Sequence, residues 1–463
     1  MARRKRLSQP LTLRIDRLEL KGSSGVDASG KRWTVRGAAV GETVSAWPGR
    51  KATARIINTL ETPVDQVEPE CAIFGVCGGC QFQRMSLEQQ RVQKQEVVSR
   101  SIGDTTNVTC HAMAGTSNAY EYRNKLELSF GPRVYVAEAD KDNPDIVREG
   151  SFLGFHPRGW YSRIVPVQTC PLATDPINRV IDVINRFSPA PPWDNKTHTG
   201  DWRHVVIRHG DGVLVSLVTS SSVQPDQVRT LGKQIGQIDD VVGVVWIVTD
   251  RLSDVAQGTP QEVLYGNDWL HMSVGKHQLR LPHDGFFQVN TAGALLLFEQ
   301  IRDALRPNGS GTLLDLYCGV GAIGMALADD FTEIIGIELN PASIECAKNN
   351  AIANGIESTW LTGKVEKILP TLSAKRPRWI VVDPPRAGLH PAAAQYLAKQ
   401  HAQALVYVAC NPASLGRDRL ILEAGNWRLD EVWPIDLFPQ TPHVEVVARF
   451  VPTREDGHQC DEA

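Results

Sequence analysis

The stretch Gly311–Gly324 reads GTLLDLYCGVGAIG and decides the fold of the C-terminal part of the chain. An apolar, strand-like run ends at Asp315, a glycine turn follows, and a helix is predicted from about Ala322. Downstream, further strand-like runs alternate with helical ones, which is typical of a parallel, doubly wound sheet. The sequence therefore predicts a Rossmann-like α/β domain over residues 286–463.

Two features of this stretch indicate a nucleoside cofactor. Gly319 and Gly321 have no side chains, so the backbone there can approach a ligand closely. A second apolar run, Ile334–Leu339, contains Glu338, and a carboxylate at such a strand end can accept hydrogen bonds from both hydroxyls of a ribose. We favour a nucleoside site over a purely structural turn. The Asp-x-x-Cys before the turn is more typical of Rossmann-like methyltransferases than of dinucleotide enzymes.

Two more strand-like runs end in residues suited to chemistry at the same edge of the predicted sheet. Trp379–Val382 leads into an Asp-Pro-Pro-Arg loop that begins at Asp383. Its two prolines predict a rigid loop where ligands of open α/β sheets bind, although a tight structural turn has the same pattern. Ala404–Ala409 leads into Cys410, so the predicted sheet brings a thiol to the edge that faces the cofactor.

Cys410 is the predicted nucleophile. Carbon 5 of a pyrimidine is too poor a nucleophile to take a methyl group unaided, and a thiolate added to carbon 6 makes carbon 5 electron-rich. The proton on carbon 5 must then be removed before the cysteine can leave. Glu445, at the start of the last strand-like run, is the predicted base. Each residue alone is more typical of a structural position, and the cofactor pattern favours the catalytic interpretation.

A second group of cysteines lies in the N-terminal half. Cys71, Cys77 and Cys80 lie within CAIFGVCGGC, and Cys170 lies far downstream. Four thiolates can hold a tetrahedral zinc ion or an iron–sulfur cluster, and the spacing suits a cluster at least as well as zinc. A redox thiol pair is the weakest alternative, because three cysteines are close together in sequence.

Short strand-like runs with glycine-rich breaks occupy the first part of the chain and predict a small barrel of the oligonucleotide-binding kind. Its charged and aromatic residues can line an RNA-binding face or form an ordinary solvated surface, and the pattern leaves both open. The candidates are Lys31, Arg32, Trp33, Arg36, Arg50, Lys51 and Arg55, with a terminal basic cluster at Arg3, Arg4, Lys5 and Arg6.

Composition restricts the class of protein. The chain has 463 residues, 42% of them hydrophobic and 22% charged, with a net charge of −3. These values predict a soluble multidomain protein whose RNA contacts use local patches, not a strongly basic non-specific binder. No apolar run is long enough for a membrane span and no secretory leader is recognisable, so we expect a cytoplasmic monomer with no membrane partner. Nine cysteines in such a chain favour metal or catalytic thiols over disulfides.

Taken together, these motifs resemble the RNA uracil-5 methyltransferase family, in particular its branch that acts on 23S ribosomal RNA. The resemblance covers almost the whole chain and rests on several motifs in the family's order. The motifs are Gly30-Lys31, Val40-Gly41-Glu42-Thr43-Val44, FGVCGGCQ, Phe287-Gln288-Val289-Asn290, LDLYCGVG, Asp-Pro-Pro-Arg, Cys-Asn-Pro and His-Val-Glu.

The resemblance implies three domains and two cofactors. The domains are a TRAM barrel that binds RNA over residues 1–65, an α+β domain with the cysteine site over 66–285 and a class I methyltransferase domain over 286–463. The cofactors are S-adenosyl-L-methionine and a [4Fe-4S] cluster. The residues implied are Gln288, Tyr317, Glu338 and Asp383 for the methyl donor, Cys71, Cys77, Cys80 and Cys170 for the cluster, and Cys410 and Glu445 for catalysis.

One departure from the family and several alternatives stay open. Ala322 replaces a polar residue common after the second glycine of the turn, which leaves contacts to the amino-acid end of the methyl donor undetermined. The predicted reaction is transfer of a methyl group to carbon 5 of a uridine, with 23S ribosomal RNA favoured over transfer RNA. A methyltransferase of another substrate class and a non-enzymatic RNA-binding protein are the rivals. A base flipped out of folded RNA would need a pocket between the central and last domains.

Overall fold

The computed structural model describes residues 9–20, 22–137, 140–157, 159–375 and 377–453. The basic cluster Arg3–Arg6 lies outside the described residues. Within the described ranges, no helix has both the length and the apolar character needed to cross a membrane.

Five short strands close into a barrel at the N-terminal end. The strands are β1 (Leu11–Glu19), β2 (Gly22–Val26), β3 (Arg32–Val35), β4 (Thr43–Pro48) and β5 (Thr53–Glu61). Around the barrel their order is β1-β2-β3-β5-β4. Alternate residues such as Leu13 and Ile15 point inward, because successive side chains of a strand face opposite sides, and they form the barrel core. The predicted small barrel is confirmed.

Trp33 does not lie on an open face of this barrel. Its side chain is 3% exposed and belongs to the barrel core. Its ring nitrogen donates to Asp27 Oδ2 at 2.8 Å. The prediction that Trp33 lines an RNA-binding face is therefore wrong, because strand alternation turns it inward. Trp47 is the tryptophan that faces outward, with 41% of its surface exposed and with Arg55 paired to it across β4 and β5.

The central part of the chain forms a seven-stranded mixed sheet covered by two helices. The strands are β8 (Lys125–Arg133), β9 (Glu149–Phe155), β10 (Val165–Pro166), β11 (Trp202–His209), β12 (Val213–Thr219), β13 (Val241–Val248) and β14 (Thr259–Gly266), and the helices are α2 (Asp175–Phe187) and α3 (Pro225–Ile235). Their order is β10-β9-β8-β11-β12-β13-β14; the β12–β13 pair is parallel and the other pairs are antiparallel. A hairpin of β15 (Trp269–Val274) and β16 (His277–Pro282) follows. This is the α+β arrangement predicted for the centre of the chain.

The C-terminal part of the chain forms a doubly wound sheet. Its strands are β17 (Thr312–Leu316), β18 (Glu333–Glu338), β19 (Ser358–Thr362), β20 (Trp379–Val382), β21 (Ala404–Ala409), β22 (Trp427–Asp436) and β23 (Glu445–Pro452), joined by β6 (Thr109–Cys110) and β7 (Ala114–Gly115) from earlier in the chain. Its helices are α4 (Thr291–Leu305), α5 (Ala322–Ala326), α6 (Pro341–Ala353), α7 (Val365–Ile368), α8 (Pro391–Leu397) and α9 (Pro412–Glu423).

Strand order determines where this sheet can bind a ligand. The order is β19-β18-β17-β20-β21-β23-β22-β6, and the first five strands are parallel. β23 runs antiparallel to both of its neighbours. The order reverses between β17 and β20, and ligands of open α/β sheets bind outside the carboxyl ends of the strands at such a switch point. The predicted Rossmann-like sheet is present.

One helix from the N-terminal half packs on this C-terminal sheet. Ser86 caps α1 (Leu87–Ile102), and the side chains of Ser86 and Gln89 form a reciprocal capping box. α1 packs against α9 and β22, and β6 and β7 extend the same sheet edge. The segment 87–115 therefore belongs spatially to the C-terminal layer, although it precedes the central sheet in sequence.

Candidate active site

The carboxyl ends of four parallel strands bring the predicted residues to one edge of the sheet. Tyr317 follows β17, Glu338 ends β18, Asp383 follows β20 and Cys410 follows β21. β17, β18, β20 and β21 are in direct parallel register, so these ends lie side by side. Four residues far apart in sequence thus meet at the switch point.

Cys410 and Glu445 are brought together by an antiparallel pair. β21 pairs with β23 with Ala409 opposite Val446, and one further step of this register places Cys410 opposite Glu445. Residues directly opposite in antiparallel strands face the same side, with Cβ atoms roughly 4.5–5.5 Å apart. The charge of Glu445 also raises the pKa of Cys410. The structure therefore places the predicted nucleophile beside the predicted base.

The groups around this pair favour the uncharged state of both. Burial and the carboxylates of Glu445 and Asp383 together raise the pKa of Cys410 to about 11, and Arg386 opposes them. Glu445 is 3% exposed, and burial, with the charge of Asp383, holds its pKa well above the usual range. Its Oε2 atom has no hydrogen-bond partner among the described residues. A buried, unsatisfied carboxyl next to a thiol is a common feature of functional sites.

Two aspartates at this edge have pKa values raised by burial. Burial raises the pKa of Asp383 to about 7. Asp315 is fully buried in β17, its pKa is also raised by burial to about 7, and its Oδ2 accepts from Gly324 N at 3.0 Å. Asp315 thus anchors the start of α5, which agrees with its interpretation as a helix-turn anchor and not a ligand.

The glycine turn has the backbone geometry that a close approach requires. Gly319 and Gly321 have φ values of 55° and 83°, in the left-handed region that glycine adopts at low cost. A Cβ atom at Gly321 would lie 2.8 Å from Met325 Cε and from Trp360, whereas one at Gly319 would meet open space. Gly321 is therefore required by packing, and the backbone at Gly319 borders the cleft.

Glu338 faces this turn. Its Oε2 accepts from Gly319 N at 3.3 Å and its Oε1 from Asn340 N at 2.8 Å. The two backbone donors fix the carboxylate, and each oxygen keeps a lone pair for a further donor. Tyr317, half-buried with φ of 64°, follows the same strand, and burial raises its pKa to about 12. These contacts suit a ribose-bearing ligand.

Gln288 lies on a different segment, just before α4. Its carbonyl accepts from Asn124 Nδ2 at 3.0 Å, and the backbone N–H of Asn124 donates to Val289 at 2.8 Å. Asn290 caps α4 and donates from Nδ2 to Leu437 O at 3.0 Å. The segment therefore connects the central sheet with the chain that leads to Glu445.

Two charged residues of the site received no role from the sequence. Arg386 lowers the pKa of both Cys410 and Glu445. Its guanidinium Nη2 lies 3.5 Å from His443 Nδ1, and both side chains are exposed at the rim. The signal was present, since Arg386 ends the Asp-Pro-Pro-Arg loop and His443 begins His-Val-Glu, but only the fold places them around the same thiol.

The four other predicted cysteines meet at a second place. Cys71, Cys77, Cys80 and Cys170 line one cavity of about 490 Å³. Burial and the other three thiols together raise the pKa of Cys80 to about 12, and a hydrogen bond with Gln83 opposes them. Among the described residues, no group of three or more His, Cys, Asp or Glu side chains is arranged to hold a metal ion. A zinc ion lies about 2.3 Å from each sulfur that binds it. Four cysteines that bind zinc must therefore lie closer together than four cysteines that bind an iron–sulfur cluster.

A further cavity lies away from both sites. It measures about 570 Å³, and Lys276, Asp329 and Glu357 are among the residues that line it. It borders the hairpin β15–β16 and the amino ends of β18 and β19. Because ligands of such sheets bind at the carboxyl ends, this cavity is not the pocket predicted for a flipped base.

Fold and strand-end chemistry together define a Rossmann-like α/β methyltransferase class. The family model described as tRNA (uracil-5-)-methyltransferase matches residues 255–365 and 370–449. An uncharacterized RNA methyltransferase of Chlorobaculum tepidum is 32% identical over 445 residues, covering 89% of each chain. Another, from Caldanaerobacter subterraneus subsp. tengcongensis, is 31% identical over 455 residues, covering 94% of this chain and 97% of the relative. The chain belongs to this family and is a uracil-5-type RNA methyltransferase.

A solved structure shares the fold over nearly the whole length. The crystal structure of Pyrococcus abyssi tRNA (uracil-54, C5)-methyltransferase in complex with S-adenosyl-L-homocysteine superposes with a TM-score of 0.75 at 24% identity. The match covers 95% of this chain and 100% of that one. The arrangement of barrel, central sheet and doubly wound sheet is therefore common to both proteins.

Proposed function

We propose that the protein transfers a methyl group from S-adenosyl-L-methionine to carbon 5 of a uridine in RNA, with Cys410 as covalent nucleophile and Glu445 as base. The observation that carries the proposal is the β21–β23 register, whose next step sets Cys410 opposite a buried Glu445. The family of the chain and the S-adenosyl-L-homocysteine bound to the Pyrococcus abyssi relative support it.

The proposed methyl-donor site lies between the glycine turn and Asp383. Glu338 is positioned to bind ribose hydroxyls, and Tyr317, Asp383 and Gln288 are the other proposed contacts. The donor supplies an electrophilic methyl group on a positively charged sulfur. Asp383 and Glu445 make the pocket favour a positive ligand, because their charged forms are disfavoured until a cation compensates them. The electrostatics of this edge therefore suit a sulfonium.

Cys410 begins the proposed reaction. Because its pKa is raised to about 11, the free site holds a thiol, and its proton must pass to solvent water before the thiolate attacks. Arg386 is the nearby group that favours the thiolate. The sulfur then forms a bond to carbon 6 of the uracil, and the displaced electron pair makes carbon 5 a nucleophile. Carbon 5 takes the methyl group from the sulfonium, and the electron pair of the broken sulfur–methyl bond stays on the leaving S-adenosyl-L-homocysteine.

Glu445 completes the proposed reaction. Its carboxylate accepts the proton from carbon 5, the C–H electron pair restores the carbon 5–carbon 6 double bond, and the bond between Cys410 and carbon 6 breaks with its electrons on sulfur. The raised pKa of Glu445 makes it a strong acceptor once ionised. Thiolate, methylated base and one proton on the glutamate are the products of this sequence.

Ribosomal RNA is the proposed substrate, and 23S ribosomal RNA in particular. The support is the sequence resemblance, in which barrel and cysteine motifs occur together. Transfer RNA is the second candidate, because the family model and the Pyrococcus abyssi relative are both named for transfer RNA. Mass-spectrometric mapping of 5-methyluridine in both RNA pools, from cells with and without the gene, distinguishes the two.

The N-terminal barrel is the proposed RNA-binding domain of the TRAM type. Trp47 supplies an exposed ring on which a base can stack, and Arg55, Arg50 and Lys51 lie on or beside the same two strands. The domain bounds 1–65, 66–285 and 286–463, the monomeric state and the cytoplasmic location stay predictions.

A [4Fe-4S] cluster is the proposed occupant of the cysteine cavity. The four cysteines line one cavity, and the thiols of Cys80 and Cys170 are buried enough that their pKa values lie above the usual range. Four cysteine thiols that line one cavity are the donor set that an iron–sulfur cluster requires. Brown protein with broad visible absorbance after anaerobic purification is expected, whereas colourless protein with stoichiometric zinc would contradict the cluster.

Trapping with RNA that contains 5-fluorouridine tests the proposed function. Fluorine on carbon 5 cannot leave as a proton, so elimination stalls and the enzyme stays bonded to RNA. We expect a denaturation-resistant adduct with the unmodified protein and with Cys110→Ala, whose thiol is exposed and outside the site. Cys410→Ala should form none.

Two outcomes would favour the rivals. If Cys410→Ala and the unmodified protein behave alike, the RNA substrate or the covalent mechanism is wrong. If titration calorimetry detects no S-adenosyl-L-methionine binding at millimolar ligand, a non-enzymatic RNA-binding protein is the better interpretation.

A further inference from the structure

We infer that Gln90 is a positioning residue for the methylation reaction, because it fixes the segment that leads into Glu445 and ties it to the chain that follows Cys80. This inference rests on the proposed role of Glu445 as base. We call residues 437–444, which join β22 to β23, the connecting segment.

The connecting segment turns at Gln440. This residue has a φ of 68° and is 3% exposed. A left-handed conformation is unfavourable for a residue other than glycine, so it persists only where its surroundings hold it. Glu445 begins β23 five positions later, so the conformation at Gln440 sets where that strand starts.

The side-chain amide of Gln90 makes two hydrogen bonds with Gln440. Its Oε1 accepts from Gln440 N at 2.8 Å, and its Nε2 donates to Gln440 Oε1 at 3.0 Å. The same Nε2 donates to Met85 O at 2.9 Å. Gln90 is fully buried in α1, so no water replaces these bonds if its amide is removed.

The cysteine-bearing chain supplies the other half of this support. Gln81 N and Phe82 N both donate to Gln440 O, at 2.8 and 3.1 Å. Gln81 directly follows Cys80, and Thr441 lines the same cavity as the four cysteines. The backbone that leaves the cysteine cavity therefore holds the turn that leads to the catalytic edge.

Further contacts hold the rest of the connecting segment. Lys94 Nζ donates to Asp436 Oδ1 at 2.6 Å and to Phe438 O at 3.0 Å, and the Lys94 and Asp436 side chains are fully buried. Tyr122 donates its hydroxyl to Pro439 O at 2.9 Å. Because these anchors remain when Gln90 is changed, the segment should shift locally and not unfold.

Removing the hydrogen bonds of Gln90 should affect one step of the reaction. Cys410 follows β21, which is paired with β20 on one side and β23 on the other, so adduct formation should depend less on the connecting segment than proton removal does. Proton removal depends on where the Glu445 carboxylate lies, and a misplacement of about 1 Å can cost about 100-fold. Loosening Gln440 should therefore slow release of the methylated base from Cys410 and leave attack unchanged.

Gln90→Met tests this separation, since methionine has a similar length and no amide. With ordinary uridine RNA we expect the Cys410 adduct to accumulate, because release slows about 10- to 100-fold. Trapping by 5-fluorouridine RNA should stay within about threefold of the unmodified protein, since that step does not use Glu445. Hydrogen exchange of the peptide over residues 437–444 should become faster.

Two variants control this test. Gln227→Met makes the same chemical change at an exposed position of α3 and should alter neither rate. Tyr122→Phe removes one bond to the connecting segment and should slow release in the same direction by a smaller factor, which keeps the test informative if Gln90→Met folds poorly.

The outcomes separate this inference from the proposed function. Release at the unmodified rate in Gln90→Met, or an equal fall in trapping and release, overturns the positioning role. If the unmodified protein forms no adduct with 5-fluorouridine RNA, the proposed function itself fails.

Discussion

Cys410 and the four cysteines of the N-terminal half are the same side chain in two different surroundings. Cys410 stands at a strand end, where burial and two carboxylates raise its pKa and one guanidinium lowers it. Cys80 stands in a loop, where burial and three other thiols raise its pKa. In both places the free thiol is protonated at neutral pH. The neighbours decide the chemistry: acids and a ligand cleft favour a nucleophile, and clustered sulfurs favour a metal.

The two sites also differ in how the fold builds them. The catalytic edge comes from β17, β18, β20, β21 and β23, whose register is set by backbone hydrogen bonds along a buried sheet. The cysteine cavity combines one short loop with a single distant residue, Cys170, whose backbone N–H donates to Asn178 Oδ1 at 2.9 Å. The first site is held by the sheet, and the second by loop contacts. The four predictions below test this contrast.

Glu445→Gln should have the largest effect. The amide cannot accept the carbon-5 proton, so turnover should fall about 100- to 10,000-fold, as for loss of a general base. The adduct between Cys410 and ordinary uridine RNA should persist, because attack and methyl transfer precede proton removal. Single-turnover gel analysis of protein–RNA adducts measures both. Loss of turnover with no persistent adduct would show that Glu445 acts before, and not after, methyl transfer.

Cys80→Ala should act on the other site and leave the first largely intact. Loss of one thiolate should remove bound iron and its visible absorbance and lower the melting temperature by about 5–10 °C, as expected for a loss of about 2–4 kcal/mol in a domain of this size. Iron analysis and calorimetry measure these effects. Binding of S-adenosyl-L-methionine should change less than about threefold.

Cys110→Ala serves as the matched control, because Cys110 is exposed and lies in neither site. It should keep iron content and melting temperature unchanged. Equal effects of the two variants would mean that the cavity holds no metal.

Asp315→Asn tests whether burial raises the pKa of a carboxyl group in the strands of the catalytic edge. The pKa of Asp315 in the folded protein is raised to about 7, so its stabilising contribution is complete below about pH 4 and is lost as the pH rises towards 7. The asparagine oxygen can still accept from Gly324 N. The variant should therefore be more stable at pH 8, by about 1–3 kcal/mol, with a flatter profile between pH 4 and 7 in urea titrations.

Asp27 in the barrel should show the opposite dependence of stability on pH. Its hydrogen bonds to Ser29 and Trp33 lower its pKa to about 2, so its contribution is present above about pH 4 and is lost as the pH falls towards 2. Asp27→Asn should be the less stable protein at pH 7. A parallel pH profile for the two variants would contradict the burial argument for Asp315.

Trp47→Ala should have the smallest effect and act on binding alone. Loss of one stacking ring should weaken RNA affinity by about 1–2 kcal/mol, roughly 5- to 30-fold, as for a base–aromatic contact. The rate at saturating RNA should not change, because Trp47 belongs to the barrel and Cys410 to the C-terminal sheet. Filter binding and saturating kinetics measure these, and Val64→Ala, also exposed, is a control that should leave affinity unchanged.

The sequence predicted many individual elements closely. Trp379–Val382 and Ala404–Ala409 are strands with the predicted bounds. Ser86 caps α1 through a capping box. These segments are apolar runs or carry strong local cap signals, so local propensity and tertiary packing favour the same conformation. The same agreement explains why the residues at their ends could be named as candidates.

Other features were beyond the sequence because they depend on distant partners. Trp33 has the composition of a binding face, yet strand alternation and Asp27 place it in the core. Gln90 carries no motif, and its contact with Gln440 joins residues 350 positions apart. Arg386 was visible in a motif, but its effect on Cys410 requires the sheet to bring the two loops together.

By itself, the sequence determined the presence of a doubly wound sheet, a barrel, a glycine turn with an acidic strand end, and two groups of thiols. Those features follow from periodicity and local backbone chemistry, which neighbouring residues encode. Only the tertiary structure decided that Cys410 lies opposite Glu445 and that the chain after Cys80 supports the turn leading to it. Such pairings arise from strand register and buried hydrogen bonds between distant segments, and no local pattern specifies them.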